Sequence, residues 1–179
     1  SNTAGGADNI AIGNYALEDS TSADACVAIG VNALLQNTTG GRNVAIGKNC
    51  TEVNTTGQYN VALGFYSLQQ NNGNENTALG YKAMQVSTTG GNNVAVGVHA
   101  LDSNTTGSTN VAVGSGAGTA NTEGFNNTYV GDTTGISLTT GDNNLMLGHD
   151  AGRTGSPGGA ISTADNVIVL GDENIANAH

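Results

Sequence analysis

Large side chains and charges are both scarce in this sequence. Its 179 residues include no Trp, one Pro, 4% aromatic residues and 10% charged residues, against 28 Gly. A conventional globular core needs many large apolar side chains to offset the entropy that the chain loses on folding. The composition therefore argues against an ordinary two-layer domain. It leaves either a disordered chain or a fold that buries its residues in another way.

Basic residues are scarcer than acidic ones. Fourteen acidic residues give the chain a formal net charge of -10. The four basic residues are Arg42, Lys48, Lys82 and Arg153. This balance argues against binding to nucleic acid or to an anionic membrane surface. No apolar run is long enough to span a bilayer, so membrane insertion is not expected. Two cysteines are too few to form a disulfide framework.

What the sequence does contain is one five-residue phrase, repeated. It reads NVAIG at 43–47 and returns as NIAIG, NVALG, NTALG and NVAVG. The glycine that closes the phrase recurs every 17 residues, apart from one interval of 16 and a last interval of 23. These glycines are Gly13, Gly30, Gly47, Gly64, Gly80, Gly97, Gly114, Gly131, Gly148 and Gly171. A short fixed period of this kind is the signature of a solenoid, and residues in such register argue against disorder.

The phrase alternates as a β-strand does. Val44 and Ile46 fall on one face of an extended segment, and Asn43, Ala45 and Gly47 fall on the other. The residue directly before the glycine is apolar in every repeat, so this column is predicted to form the core. The alanines at the Ala45 position face the other way, and we interpret their row as a close contact between subunits.

Each repeat continues with a second apolar residue and a turn. The second apolar residues are Leu17, Leu34, Leu68, Met84 and Leu101, which are predicted to form a second strand or a corner. Turns such as NTTGG at 37–41 predict a positive φ at their glycine. The predicted fold is an all-β parallel β-solenoid, or β-roll, of about ten 17-residue coils. Regular repeats are expected over 1–148, and 149–179 is expected to hold an irregular final coil and the junction to a missing C-terminal region.

The asparagine that opens the phrase forms a column of its own. Parallel coils lie about 4.8 Å apart, a spacing at which identical amides hydrogen-bond one above another. We therefore predict a structural ladder, formed by Asn43, Asn60, Asn76, Asn93 and Asn110. The same column is expected to include Asn9, Asn127, Asn144 and Asn166, with Cys26 as its exception.

The repeated phrase carries a family resemblance. Together with its NTTG turns, it resembles the head domains of trimeric autotransporter adhesins, which are parallel β-rolls. Longer phrases such as TGGNNVAVGVHAL at 89–101 look more like the repeat region of bacteriophage tail fibres and tailspikes. The segment DNVIVLGDENIANAH at 165–179 is similar to the stretch that precedes the intramolecular chaperone of such fibres. The resemblance implies a homotrimer, intertwined or side by side.

Little in the sequence points to catalysis or to a cofactor. The three histidines occupy unrelated places in the repeat, and no Ser or Cys has the spacing of a nucleophile with its base. We therefore expect no enzymatic activity and no cofactor. Calcium is the alternative, because acidic residues stand beside glycines at Asp132, Asp142 and Asp172. These acids do not repeat in phase, as they do in calcium-binding β-rolls.

Recognition is expected where the repeat becomes irregular or carries aromatic rings. The segments 115–129 and 149–165 depart from the pattern, the second with the only proline, and loops on a rigid rod commonly place recognition residues. The alternative is a structural junction. Aromatic rings just after the glycine either stack on sugar rings or pack between subunits. These rings belong to Tyr15, Phe65, Tyr66 and Tyr81. The candidate receptor contacts are Tyr66, Tyr81, Phe125, Tyr129 and Arg153.

These features predict a structural and adhesive role. We expect a homotrimeric segment of a phage tail fibre that helps a virion attach to a glycan or protein receptor on its bacterial host. One alternative is the head of a trimeric adhesin on a bacterial cell surface. Another is an ice-binding solenoid, since stacked threonines can order water, although the Thr-Thr pair is missing from some repeats. A polysaccharide-degrading tailspike is the enzymatic alternative.

Overall fold

A computed structural model describes residues 6–153 and 161–172 of the chain. Within these residues the protein is an all-β parallel solenoid, and every regular element is a strand of two or three residues. The strands are β1 (Ile10–Ile12), β2 (Val27–Ile29), β3 (Val44–Ile46), β4 (Val61–Leu63), β5 (Gln70–Asn71), β6 (Thr77–Leu79), β7 (Val86–Ser87), β8 (Val94–Val96), β9 (Val111–Val113), β10 (Thr128–Val130), β11 (Leu145–Leu147) and β12 (Ile168–Leu170).

Ten of these strands form one parallel sheet along the rod. Their order is β1-β2-β3-β4-β6-β8-β9-β10-β11-β12, and each strand pairs with the equivalent residues of the next coil, as Val44 does with Val61. The parallel β-solenoid predicted from the period is confirmed. The sheet continues across the long interval, because Leu145 pairs with Ile168. Residues 154–160, with most of the RTGSPGG segment, and residues 173–179 at the end of the closing segment lie outside the described residues.

The core lies on the opposite face of the strand from the one we predicted. Ala45 and its equivalents from Ala28 to Met146 are fully buried, whereas the residues on either side of them in the strands are more exposed. The prediction that the Val and Ile columns form the core, and that the alanine row contacts a subunit, was therefore wrong. A 17-residue coil encloses a narrow interior. Alanine fills this interior in most coils, and the larger residues Tyr129, Met146 and Val169 take its place only in the last three coils.

The second apolar column is buried as well, but it makes a corner and not a strand. Leu34 and Leu68 are fully buried and adopt the left-handed conformation, with φ of 52° and 48°. The Leu34 N–H donates to the Cys50 carbonyl of the next coil, 3.1 Å away. A second sheet forms only between β5 and β7. Left-handed residues with side chains are uncommon, so this repeated corner is held by the bonds between coils.

The glycine that closes the phrase is required by close approach. Gly47 has a φ of +139°, and a Cβ added there would lie 2.5 Å from the Gly64 carbonyl oxygen. The turn glycines differ from our prediction, since Gly57 has no positive φ. An added Cβ at Gly57 would instead lie 2.3 Å from Asn54 Oδ1 and 2.5 Å from the Gly73 carbonyl oxygen. Both glycines therefore let the backbones of successive coils stack.

Buried asparagines stack along the rod at the start of each strand. The Asn60 N–H donates to Asn43 Oδ1 at 2.9 Å, and Asn60 Nδ2 donates to the Gly73 carbonyl at 2.9 Å. The same pattern runs through Asn76, Asn93 and Asn110 and continues to Asn127 and Asn144. Val167, and not Asn166, occupies the next position, because the Val167 N–H donates to Asn144 Oδ1 at 2.9 Å.

A second asparagine ladder went unnoticed in the sequence. The asparagine of each Asn-Thr-Thr-Gly turn points into the core, where Asn37 Nδ2 donates to the Gly40 carbonyl at 2.7 Å. Between coils, Asn54 Nδ2 donates to Asn37 Oδ1 at 2.7 Å. Both asparagines are fully buried. Their amides satisfy carbonyl groups that face a core with no room for water.

Cys26 interrupts the first ladder, and this gives a stability test. Cys26 Sγ lies 3.4 Å from the Gly40 carbonyl, which faces the position that an asparagine amide fills in later coils. A thiol offers no oxygen to the Asn43 N–H. We expect Cys26→Asn to raise the free energy of unfolding by about 1 kcal/mol, measured by urea denaturation. Cys26→Ala is the matched control. Equal stability of the two variants would show that the ladder contributes nothing at this coil.

Candidate functional site

The outer face of the ten-stranded sheet is almost entirely apolar. It is formed by the first and third residues of each strand, and we call it the apolar face. These residues are Ile10, Ile12, Val27, Ile29, Val44, Ile46, Val61, Leu63, Thr77, Leu79, Val94, Val96, Val111, Val113, Thr128, Val130, Leu145, Leu147, Ile168 and Leu170. None of them is buried, and Leu63 in the middle of the rod is 48% exposed.

This face is larger than the scattered apolar residues of an ordinary surface. It holds two outward side chains on each of ten strands, stacked in register, and none of them is charged. Contiguous exposed apolar surface of this extent marks an interaction site. The apolar face, and not the buried alanine row, is therefore the candidate for a contact with a partner.

A cluster of rings lies just beyond the strand ends, and we call it the aromatic corner. Phe65 and Tyr81 stack with centroids 5.9 Å apart and planes inclined by 15°. The ring centroids of Tyr66 and Phe65 are 4.0 Å apart, and those of His99 and Tyr81, which meet edge-on, are 5.4 Å apart. These residues follow the phrase-closing glycine by one or two positions in three successive coils. Because the coils stack in register, aromatic residues that are far apart in the sequence form one continuous strip.

Two of the four basic residues flank this strip. Lys48 Nζ lies 5.8 Å from the centroid of the Phe65 ring, and Lys82 Nζ lies 5.6 Å from that of Tyr81. Both distances suit cation-π attraction. Within the described residues, no carboxylate lies within 4 Å of either ammonium group. The aromatic corner therefore carries positive charge on a chain that is otherwise strongly acidic.

A column of polar side chains borders the aromatic corner. Glu52 Oε2 accepts hydrogen bonds from Asn49 Nδ2 at 2.9 Å and from Gln69 Nε2 at 2.8 Å. Gln85 Nε2 continues the column by donating to Gln69 Oε1 at 2.8 Å. Asp102 completes it, with its Oδ2 2.7 Å from His99 Nδ1. A strip of rings and a row of hydrogen-bonding groups thus run side by side along the rod.

The structure brings together two of the five candidate receptor contacts. Tyr66 and Tyr81 both belong to the aromatic corner. Phe125 is 41% exposed but lies on the turn before β10, where its N–H donates to Asp142 Oδ1. Arg153 Nη1 binds the Asp150 carboxylate at 3.0 Å. The hydrogen bond from Thr133, with help from Arg153, lowers the pKa of Asp150.

Tyr129, the fifth candidate, is a core residue and cannot meet a receptor in the folded chain. It is fully buried in the alanine column, and burial raises its pKa above the ordinary value. Gly118 and Gly135 occupy the positions that hold leucine in earlier coils. A Cβ on Gly135 would lie 2.3 Å from the Tyr129 ring, and one on Gly118 would lie 2.8 Å from it. The irregularity at 115–129 is therefore a change inside the core, in which a large ring replaces alanine and glycines replace the leucines beside it.

Our sequence reasoning left out three functional candidates, which are Lys48, Lys82 and His99. Each is unremarkable within its own repeat. Aligning the coils on the closing glycine places all three in the two columns that hold the aromatic rings, and that alignment is the signal that finds them. A similar pairing occurs before the strands, where Arg42 lies 5.3 Å from the centroid of the Tyr59 ring.

The cysteines and the acidic residues offer little chemistry. Cys26 and Cys50 are buried, and burial raises the pKa of Cys50 to about 12 and that of Cys26 in the same direction. Their thiols therefore stay protonated at neutral pH. Across 6–153 and 161–172, no three His, Cys, Asp or Glu side chains gather where they would hold a metal ion. Nor does this part of the chain form a helix able to cross a membrane.

Comparison of the chain with protein-family models, with curated proteins and with solved structures gave no match.

Proposed function

We propose that this chain is a structural and adhesive segment of a bacteriophage tail fibre, assembled as a homotrimer and contributing to attachment to the bacterial host. The observation that carries the proposal is the exposed apolar face of a rigid rod. A solenoid with such a face is a poor solitary protein, because its largest apolar surface stays in water. The same rod is well suited to a fibre, where strength along one axis and several copies of a receptor surface are needed.

Another copy of the chain is the partner that fits the apolar face. Its face has the same length, the same spacing between coils and the same absence of charge. Val and Ile side chains from equivalent coils interdigitate when the rods lie side by side. Closed symmetry then buries all of the equivalent faces at once. Burial of apolar surface between chains also supplements the modest core within each coil.

Sedimentation equilibrium tests the assembly. We expect the wild-type chain to sediment at about three times its mass of 17.7 kDa, and the double variant Leu63→Lys/Val96→Lys to sediment as a monomer, because it places charge in the middle of the apolar face. The matched control is Thr39→Lys/Thr106→Lys, on exposed residues of the turns. A wild-type chain that is monomeric at all concentrations would overturn the trimer.

Attachment is tested by incubating the assembled wild-type rod with cells of candidate bacterial hosts and measuring the bound fraction. We expect saturable binding to a subset of strains. A bacterial surface adhesin remains the alternative with the same rod. A chaperone encoded downstream would indicate a fibre, and a coiled-coil stalk with a membrane anchor would indicate an adhesin.

The exposed threonine row favours one further alternative, an ice-binding face. Thr39, Thr56, Thr89 and Thr106 are exposed at equivalent places in their coils. The row is interrupted at Asn72 in the shortened coil, where Gly73 stacks on the turn glycines Gly57 and Gly90, and at Glu123, which replaces threonine. The neighbouring threonines, such as Thr38, donate their hydroxyls to carbonyls of the next coil. We rank adhesion first because the apolar face has no role in ordering water.

A further inference from the structure

We propose that the aromatic corner is a binding site for a linear acidic oligosaccharide lying along the axis of the rod. This inference rests on the proposed attachment function and names the class of ligand that the rod would recognise. Three features of the corner carry it. They are the exposed apolar strip, the bordering hydrogen-bonding column and the ammonium groups without a carboxylate partner.

The strip suits the apolar part of a sugar chain. Phe65 and Tyr81 are 37% and 41% exposed, although their rings already stack on each other. The strip continues through Tyr66 on one side and His99 on the other, so it spans three coils. Pyranose rings present C–H groups that pack on aromatic carbon, while their hydroxyls stay free for polar partners. A strip that runs along the rod favours an extended chain over a single compact ligand.

The bordering column supplies partners for the hydroxyls. Gln69 and Gln85 are half-buried, so each retains contact with solvent beside the rings. Their amides are fixed by bonds along the rod, from Gln85 Nε2 to Gln69 Oε1 and from Gln69 Nε2 to Glu52 Oε2. Amides held in this way are oriented before the ligand arrives, and little side-chain entropy remains to be lost on binding.

The charges select an acidic ligand. Lys48 lies near the Phe65 end of the ring strip and Lys82 lies beside its middle ring, Tyr81. Their ammonium groups lack ion-pair partners among the described residues. The two carboxylates on the bordering column are already engaged, Glu52 by amides and Asp102 by His99. The remainder of a chain with net charge -10 repels a polyanion, so binding is confined to this corner.

The test uses the assembled rod and two probes of equal length, an oligogalacturonate and a neutral cello-oligosaccharide. Binding is measured by calorimetry for the wild type and for Tyr81→Ala, Tyr66→Ala and Lys82→Met. We expect each lost ring to weaken oligogalacturonate binding roughly tenfold. The lost charge should weaken it roughly two- to fivefold and reduce its dependence on salt.

Tyr15→Ala is the matched control for Tyr66→Ala. Tyr15 occupies the equivalent position of the first coil and has the same backbone conformation, with φ of 58° against 59°. It lies outside the aromatic corner, so its replacement should leave oligosaccharide binding unchanged. A comparable loss in Tyr15→Ala would show that the effect comes from a general disturbance of the rod and would overturn the site.

Cell binding separates this inference from the proposed function. Binding of the rod to host cells that survives both tyrosine replacements would overturn the site and leave attachment intact. Failure to bind oligogalacturonate, or tighter binding of the neutral probe, would overturn the acidic ligand. A rod that binds oligogalacturonate through the corner but binds no cells would overturn attachment and uphold the site.

Discussion

Replacing Tyr129 by alanine is expected to lower the free energy of unfolding by about 4 kcal/mol, because it leaves a cavity the size of the ring in the core. The ring fills space that leucine fills in earlier coils, and its hydroxyl lies 3.4 Å from Asn121 Oδ1. Gly135 and Gly118 stand on either side of it and have no side chains with which to close the gap. Urea denaturation followed by circular dichroism measures the loss.

A second substitution tests whether the loss of stability arises because the sizes of residues 129 and 135 are matched. Gly135→Leu in the wild type is expected to destabilise the protein, because its side chain would collide with the ring of Tyr129. In Tyr129→Ala the same leucine restores the usual pairing of alanine with leucine, and we expect it to recover about half of the lost stability. Leucine is compatible with the backbone there, since Leu34 has a φ of 52° and Gly135 one of 67°. Additive effects of the two changes would contradict this account.

Removing one step of the asparagine ladder should also destabilise the protein. Asn93 Oδ1 accepts the Asn110 N–H at 2.9 Å, and Asn93 Nδ2 donates to the Gly107 carbonyl at 2.9 Å. Asn93→Ala leaves the Asn110 N–H without its partner in a fully buried region, whereas the Gly107 carbonyl keeps its bond from Asn104 Nδ2 at 2.8 Å. We expect a loss of about 2 kcal/mol in the free energy of unfolding, mostly from the orphaned N–H.

Amide hydrogen exchange gives this prediction a local readout. The Asn110 N–H should lose its protection in Asn93→Ala, while amides several coils away keep theirs. Asn14→Ala is the matched control, because Asn14 is exposed at the surface of the first coil. It should change stability by less than about 0.5 kcal/mol. Equal effects of the two replacements would mean that the ladder does not stabilise the rod.

Periodicity was the most informative signal in the sequence. In a solenoid, residues one period apart stack directly, so the columns read from the spacing became the register of the sheet. The spacing could not say which face of the strand points inward. Alternation is the same whichever face is buried, and the greater hydrophobicity of Val44 and Ile46 favoured the wrong one. The uniform size of the alanine column was the better guide, because a narrow interior restricts volume whereas an exposed face does not.

Only part of the candidate site could be predicted from the sequence. Tyr66 and Tyr81 were named as candidates because their rings follow the closing glycine by one or two residues. Lys48 and His99 were missed because their partners lie in other coils. Tyr129 was misplaced for a related reason. Its aromatic ring was interpreted as a surface feature, and only its position in the alanine column, opposite two glycines that replace leucine, indicates that it is buried.

The core is not uniform along the rod, because Tyr129 replaces alanine and two glycines replace leucine beside it. This difference bears on how the coils of a repetitive chain find their correct neighbours. Nearly identical coils pair equally well with neighbours that are not their own, and a coil that skips its neighbour would cost little in a uniform rod. If the coil of Tyr129 stacked on that of Leu101, the ring would meet leucine where it needs Gly118. The shortened coil at 65–80 offers a second mismatch. These irregular coils therefore admit a single alignment of the coils within the chain. In the trimer that we propose, they would also fix the alignment of neighbouring chains.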